Sequence, residues 1–141
     1  MTMKWWDDLW LNESFATFMS FLVYINSKHL PDSFEGWRKF FNYKKLGYEK
    51  DSTKTTHPVR SDCKHTDDAE EIFDGLTYGK GAAVLKQIVY VIGEETLSEA
   101  MKIYFKRHAW KNTELDDFLQ ALVEGCEITG EGKDFDIKSW A

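Results

Sequence analysis

Glu13 is the residue whose surroundings call for chemistry. It lies in WWDDLWLNESFATF, Trp5 to Phe18, among Trp5, Trp6, Trp10, Leu11, Phe15 and Phe18. An ionised carboxylate is costly to bury unless it is paired or binds a metal, so a glutamate on a largely apolar helix is a candidate ligand. The competing reading is a carboxylate near a helix start, satisfied by free backbone amides. Asp7 and Asp8 carry a similar pair of readings, as charges that compensate the helix dipole or as outer carboxylates that orient a metal ligand. A second stretch, FDGLTYGKGAAVL from Phe73 to Leu85, holds Tyr78. Its phenol stays protonated at neutral pH and can donate a hydrogen bond, or it can simply pack in a core.

Other constellations fall away on inspection. Gly79-Lys80-Gly81 fails as a phosphate-binding loop, because Gly75 sits too close to Lys80 and Gly81 replaces the required hydroxyl residue. Asn12-Glu13-Ser14 matches a glycosylation sequon but overlaps the candidate ligand on a buried helix. The histidines are His29, His57, His65 and His108, and none has a histidine partner four positions away, so no HExxH occurs. His57 and His65 read as exposed loop residues rather than ligands. Cys63 and Cys126 are too isolated for a zinc ribbon or a disulfide framework and read as reduced thiols.

The segment around Glu13 resembles the zinc aminopeptidases of the aminopeptidase N and puromycin-sensitive aminopeptidase family, the gluzincins. Those proteins carry HExxH and, further on, a glutamate within W-x-x-L-W-L-N-E-[GS]-[FH]-A. The resemblance implies that Glu13 is the third zinc ligand. The segment around Tyr78 resembles the family's F-D-x-[IL]-[TS]-Y-x-K-G-A-x-[VL]-L, which implies that Tyr78 donates to the oxyanion of the tetrahedral intermediate. A well-placed donor of that kind contributes roughly 2.7–4 kcal/mol to transition-state stabilisation. THPV at Thr56 to Val59, AWKNTELDDFLQAL at Ala109 to Leu122 and the terminal IKSWA extend the likeness across nearly the whole chain.

The same resemblance implies an all-α fold, the helical lobe of a thermolysin-like catalytic domain. Residues 1–141 would be one part of that domain, cut at both ends and beginning just after the HExxH segment. The intact enzyme would hold one zinc ion through two histidines and a glutamate, with an open position for water. A general-base glutamate would take the proton of that water, and the hydroxide would attack the first peptide bond of a substrate with a free N-terminus. The implied partners are such peptides and the remaining parts of the parent aminopeptidase. By itself the chain, with Glu13 as its one implied ligand, is expected neither to bind zinc tightly nor to hydrolyse peptides. The alternative is a catalytically inactive helical protein that binds peptides or a partner, and a third reading is an unrelated helical interaction module.

The elements that must position these residues are read from periodicity. The chain has 141 residues, 43% of them hydrophobic, enough for a domain-sized core. A net charge of −6 argues against a nucleic-acid partner. The longest apolar run, Phe21 to Ile25, falls far short of the about 20 residues that span a bilayer. The spacing predicts a helix from near Leu9 to Ile25, buried on most sides. A second helix is expected to open at Asp32 with Glu35 as a capping box, and Phe34, Trp37, Phe41 and Tyr48 share one of its faces. A long polar surface loop is predicted from Asp51 to Asp68. Helical pattern resumes from Tyr78 to Ile92 and stops at Gly93, where the small residues Gly79, Gly81, Ala82 and Ala83 allow close approach. A further helix from Glu94 or Glu95 buries Leu97, Ala100, Met101, Tyr104 and His108. Another, capped by Thr113, buries Leu115, Phe118, Leu119 and Leu122. Trp10, Phe15, Phe18, Leu22, Leu85 and Ile88 complete the expected core.

Overall fold

The computed structural model describes residues 2–27 and 33–141. Helix dominates: α1 Leu9–Asn26, α2 Ser33–Asp51, α3 Thr66–Glu71, α4 Gly81–Ile92, α5 Glu94–Arg107, α6 Leu115–Thr129 and α7 Ile137–Trp140. A 3-10 turn at Trp6–Asp8 leads into α1, and a π-helical turn at Leu76–Lys80 leads into α4. The strands β1, Thr2–Met3, and β2, Asn112–Thr113, form one parallel pair in which Met3 lies beside Thr113. No helix among the described residues is long and apolar enough to cross a membrane. The chain divides into two compact units, Trp6–Leu85 and Met1–Trp5 with Lys86–Ala141, and the division falls inside α4.

In the unit Trp6–Leu85, α1 and α2 pack on each other and on the π turn. Leu11, Ser14, Phe18 and Leu22 are buried at the spacing of one helix face, whereas Ala16, Ser20 and Val23 are exposed. The helix is therefore one-sided, not buried all round. The ring of Phe21 meets those of Phe40 and Tyr43 edge-on, with centroids 5.3 and 5.9 Å apart.

The aromatic face expected for α2 is not its buried face. Phe34, Phe41 and Tyr48 are 75%, 60% and 51% exposed, while Gly36, Phe40 and Gly47 are buried. A helix packs where its backbone can come closest, and two of these three residues are glycines that periodicity of apolar side chains does not register. Arg38 and Lys39 face solvent as expected, and Glu35 pairs with Arg38 at 2.6 Å. Asp32, the expected capping residue, lies outside the described residues, as do His29 and Pro31. The polar stretch after α2 is irregular to His65 and then contains the short α3, capped reciprocally by His65 and Asp68.

In the unit Met1–Trp5 with Lys86–Ala141, α5 packs on α6 and α7 on α6. Ile88, Ile92, Leu97, Ala100, Met101, Tyr104, Phe118, Leu119, Leu122 and Ile137 are buried. Gly93, at φ +85°, accepts a conformation that other residues resist, ends α4 and precedes α5. Thr113 does not cap α6. Glu114 does so, in reciprocal hydrogen bonds with Asp117, and Thr113 is buried in β2 with its hydroxyl 2.8 Å from that of Tyr104. His108 is half-buried, its ring 5.4 Å from that of Tyr104. Cys63 and Cys126 are free buried thiols, one in each unit, whose burial raises their pKa values.

Phe40 and Phe41 are adjacent in sequence but differ in burial. Phe40→Ala should cost about 3–5 kcal/mol of stability and Phe41→Ala no more than about 0.5 kcal/mol, read from denaturant midpoints. Equal losses would mean that the buried face of α2 has been misplaced.

Candidate functional site

Glu13 and Tyr78 belong to different elements of the unit Trp6–Leu85, and their side chains meet. Glu13 lies on α1, half-buried, and Tyr78 lies in the π turn, also half-buried. The Tyr78 hydroxyl lies close enough to the Glu13 carboxylate for the two to interact. Desolvation first, and then the neighbouring Glu13 carboxylate and its charge, hold the phenol above its ordinary pKa. The hydroxyl is thus kept protonated, a donor facing a carboxylate.

The local sequence explains why a π turn presents the tyrosine. The Gly81 N–H bonds the carbonyl of Leu76, one residue further back than in an α-helix. The carbonyl of Thr77 is meanwhile taken by the hydroxyl of Ser14, fully buried on α1 beside Glu13, at 2.5 Å. The Thr77 hydroxyl donates to the carbonyl of Ile72. Ser14 and Thr77 therefore fasten the neighbours of the two candidate residues to each other. Gly79 is one position where this arrangement needs a missing side chain: a Cβ there would lie 2.7 Å from the Tyr43 carbonyl oxygen on α2.

Asp74 organises the start of the turn. Its Oδ1 accepts the Leu76 N–H at 2.8 Å and its backbone carbonyl accepts the Tyr78 N–H at 3.1 Å. Its Oδ2 lies 3.1 Å from His57 Nε2 and 3.5 Å from Lys50 Nζ. His57 is therefore not an exposed loop residue; it is half-buried against the site. His65 is exposed. Lys80 pairs with Asp51 at 2.8 Å, and that bond together with one from Thr56 lowers the pKa of Asp51.

Asp7 and Asp8 turn out to anchor the loop. Asp8 is buried and meets Arg60 Nε at 2.9 Å, and Asp7 Oδ1 accepts the backbone N–H of Cys63 at 2.9 Å. Among the described residues no three His, Cys, Asp or Glu side chains are gathered as a metal site would need.

The description of the peptidase family M1 domain matches residues 1–140. The chain belongs to peptidase family M1. It is 43% identical to an aminopeptidase N of Streptomyces lividans over 100% of its own length, and 36% identical to an aminopeptidase M1-A of Oryza sativa subsp. japonica over 99%. A leucyl aminopeptidase of Saccharolobus solfataricus is 39% identical over 92% of the chain. The chain spans only 16%, 15% and 16% of the lengths of these three relatives.

Sequence reasoning finds Glu13 and Tyr78 in this M1 segment but assigns nothing to Ser14 or Asp74, and places His57 in solvent. Each of the three lies in a stretch carrying the family resemblance, at WLNES, FDGLTY and THPV. Those stretches were the available signal.

The raised phenol pKa has a defined sign. The folded state holds the Tyr78 proton more tightly than the unfolded chain, so this contribution to stability is complete below about pH 10 and is lost as pH rises through the folded value. Carbon-13 tyrosine NMR should show Tyr78 ionising above an ordinary phenol. Glu13→Gln should bring it back toward the ordinary value, and an unchanged titration would mean that the two groups do not interact.

Proposed function

We propose that this chain is the part of a zinc aminopeptidase that supplies one metal-binding carboxylate, Glu13, and the oxyanion donor, Tyr78. The observation that carries this reading is that α1 and the π turn are fastened to each other next to these two residues, by the buried bond from the Ser14 hydroxyl to the Thr77 carbonyl, which sets the Glu13 carboxylate beside the Tyr78 phenol. The similarity to aminopeptidases supports the reaction class. The substrates would be peptides with a free N-terminus, and the remaining zinc donors and the general base would come from the rest of a family-length polypeptide.

The chain's residues have separable tasks in this reading. Ser14, bonded to Thr77, fixes the spacing between the carboxylate and the phenol. Tyr78 contributes by keeping its proton, because only the neutral phenol donates. Its place beside Glu13 would put that donor where negative charge develops, so little reorganisation would be needed at the moment of reaction. Glu13 would serve as a metal ligand in its ionised form.

Grafting the chain in place of the matching stretch of the Streptomyces lividans protein tests the assignment. The hybrid should release a chromogenic amine from an aminoacyl substrate. Tyr78→Phe should lower kcat by about 10²–10³-fold with KM little altered, and Glu13→Ala should remove both zinc and turnover. Full activity of the hybrid carrying Tyr78→Phe would refute the oxyanion role.

The isolated 141-residue chain should show neither submicromolar zinc binding by calorimetry nor turnover, since catalytic zinc sites use three protein ligands. Turnover by the chain alone, abolished by Glu13→Ala, would reveal a metal site made by its own residues.

A further inference from the structure

The polar cluster around Asp74 has no assigned part in metal binding or in oxyanion stabilisation, yet through Asp74 it is bonded to the turn that carries Tyr78. Asp74 offers the turn two acceptors, a carboxylate oxygen for the Leu76 N–H and a backbone carbonyl for the Tyr78 N–H. With its other carboxylate oxygen it faces His57 Nε2 and Lys50 Nζ. His57 is fixed in turn, its Nδ1 lying 2.7 Å from the Pro58 carbonyl oxygen and 3.1 Å from Ser61 Oγ. The Ser61 hydroxyl itself donates to that same carbonyl, at 2.9 Å.

The donor and acceptor roles are set by chemistry. A carboxylate and a backbone carbonyl are acceptors only, so a ring nitrogen of His57 that carries a proton has one of them to donate to. With the Ser61 hydroxyl given to the Pro58 carbonyl, the Ser61, His57 and Asp74 side chains are arranged for holding, not for nucleophilic attack, although a serine, a histidine and an aspartate in series resemble a triad. Hydrogen bonds to charged groups are among the stronger ones a protein makes, and here they converge on one carboxylate at the N-terminal edge of a five-residue turn.

We propose that Asp74, fixed by His57 and Lys50, is a positioning residue that aims the Tyr78 hydroxyl at Glu13. It touches neither substrate nor metal, and acts only through the backbone of residues 76–78. His57 brings the loop after α2 into the same device, so the loop's contribution to the site is to hold the tyrosine's turn in place. This rests on the reading of Tyr78 as the donor, and its geometry can be examined without any turnover.

The experiment uses the full chain labelled for NMR, with Asp74→Ala, Asp74→Asn, His57→Gln and Glu13→Gln compared with the parent. Asp74→Ala should speed exchange of the Leu76 amide by about tenfold or more, and move the Tyr78 ring signals toward those seen in Glu13→Gln. Asp74→Asn keeps an acceptor for the Leu76 N–H and should restore slow exchange there while leaving the Tyr78 ring partly displaced. His57→Gln should displace the ring in the same direction, with the helical circular dichroism unchanged. Glu13→Gln should move the ring alone and leave the Leu76 amide slow. If Asp74→Asn and His57→Gln fold normally and the Tyr78 ring signals stay where they are in the parent, Asp74 is a local cap only and the proposal fails. The assignment of Tyr78 as oxyanion donor is decided separately, by the kcat of the Tyr78→Phe hybrid.

Discussion

Two backbones in the unit Trp6–Leu85 approach each other more closely than side chains would allow. Gly47 on α2 and Gly79 in the π turn face each other: a Cβ on Gly47 would stand 2.8 Å from the Lys80 nitrogen, and one on Gly79 would stand 3.2 Å from the Gly47 nitrogen. Only residues without a side chain permit this packing. Because α2 comes in so close, the π turn is wedged against it on one side and against α1 on the other, and the Tyr78 hydroxyl reaches Glu13. The same approach decides which face of α2 is buried, and so leaves Phe34, Phe41 and Tyr48 outside. Electrostatics then trims the arrangement, with Lys80 and Asp51 paired where α2 ends.

Much of this was legible in the sequence, for identifiable reasons. Helices α1, α5 and α6 begin near their expected residues, and in α5 and α6 the buried stripes are made of Leu, Phe, Met and Tyr at helical spacing. Of the ten residues Trp10, Phe15, Phe18, Leu22, Leu85, Ile88, Leu97, Met101, Phe118 and Leu122 expected in the core, Phe15 alone is only half-buried. The buried face of α2 was not legible, because glycines mark it and they carry no hydrophobic signal. The two-residue strands were not legible either, since so short a pairing has no periodicity and rests on bonds such as that from the Lys4 N–H to the Thr113 carbonyl, 2.8 Å. Tyr104 shows the same limit, its burial expected and its bond to Thr113 not.

The site divides in the same way. Glu13 stands out because a charge among tryptophans is physically odd, and Tyr78 because of the motif around it. The π turn that joins them has the apolar spacing of ordinary helix from Tyr78 onward. What distinguishes it is a carbonyl diverted to Ser14, a long-range event that no local pattern announces. The polar neighbours of His57 suggest solvent, yet a polar neighbourhood also describes a hydrogen-bonded cluster. Composition alone does not separate the two.

The segment between α2 and α3 is tethered unevenly, and the tethers set where its length could change. Residues from His57 to Cys63 are held by Asp74, Asp8 and Asp7 in quick succession, so an added residue there would pull at least one anchor from its partner. The bonds of Ser52 to Thr55 run to one another, to the neighbouring Thr56 and to the last turns of α2. Since lengthening a free loop costs only about 0.6 kcal/mol per doubling, an insertion would be absorbed at the α2 end. The loop thus consists of an elastic half and a rigid half, and the rigid half is the one that reaches the tyrosine's turn.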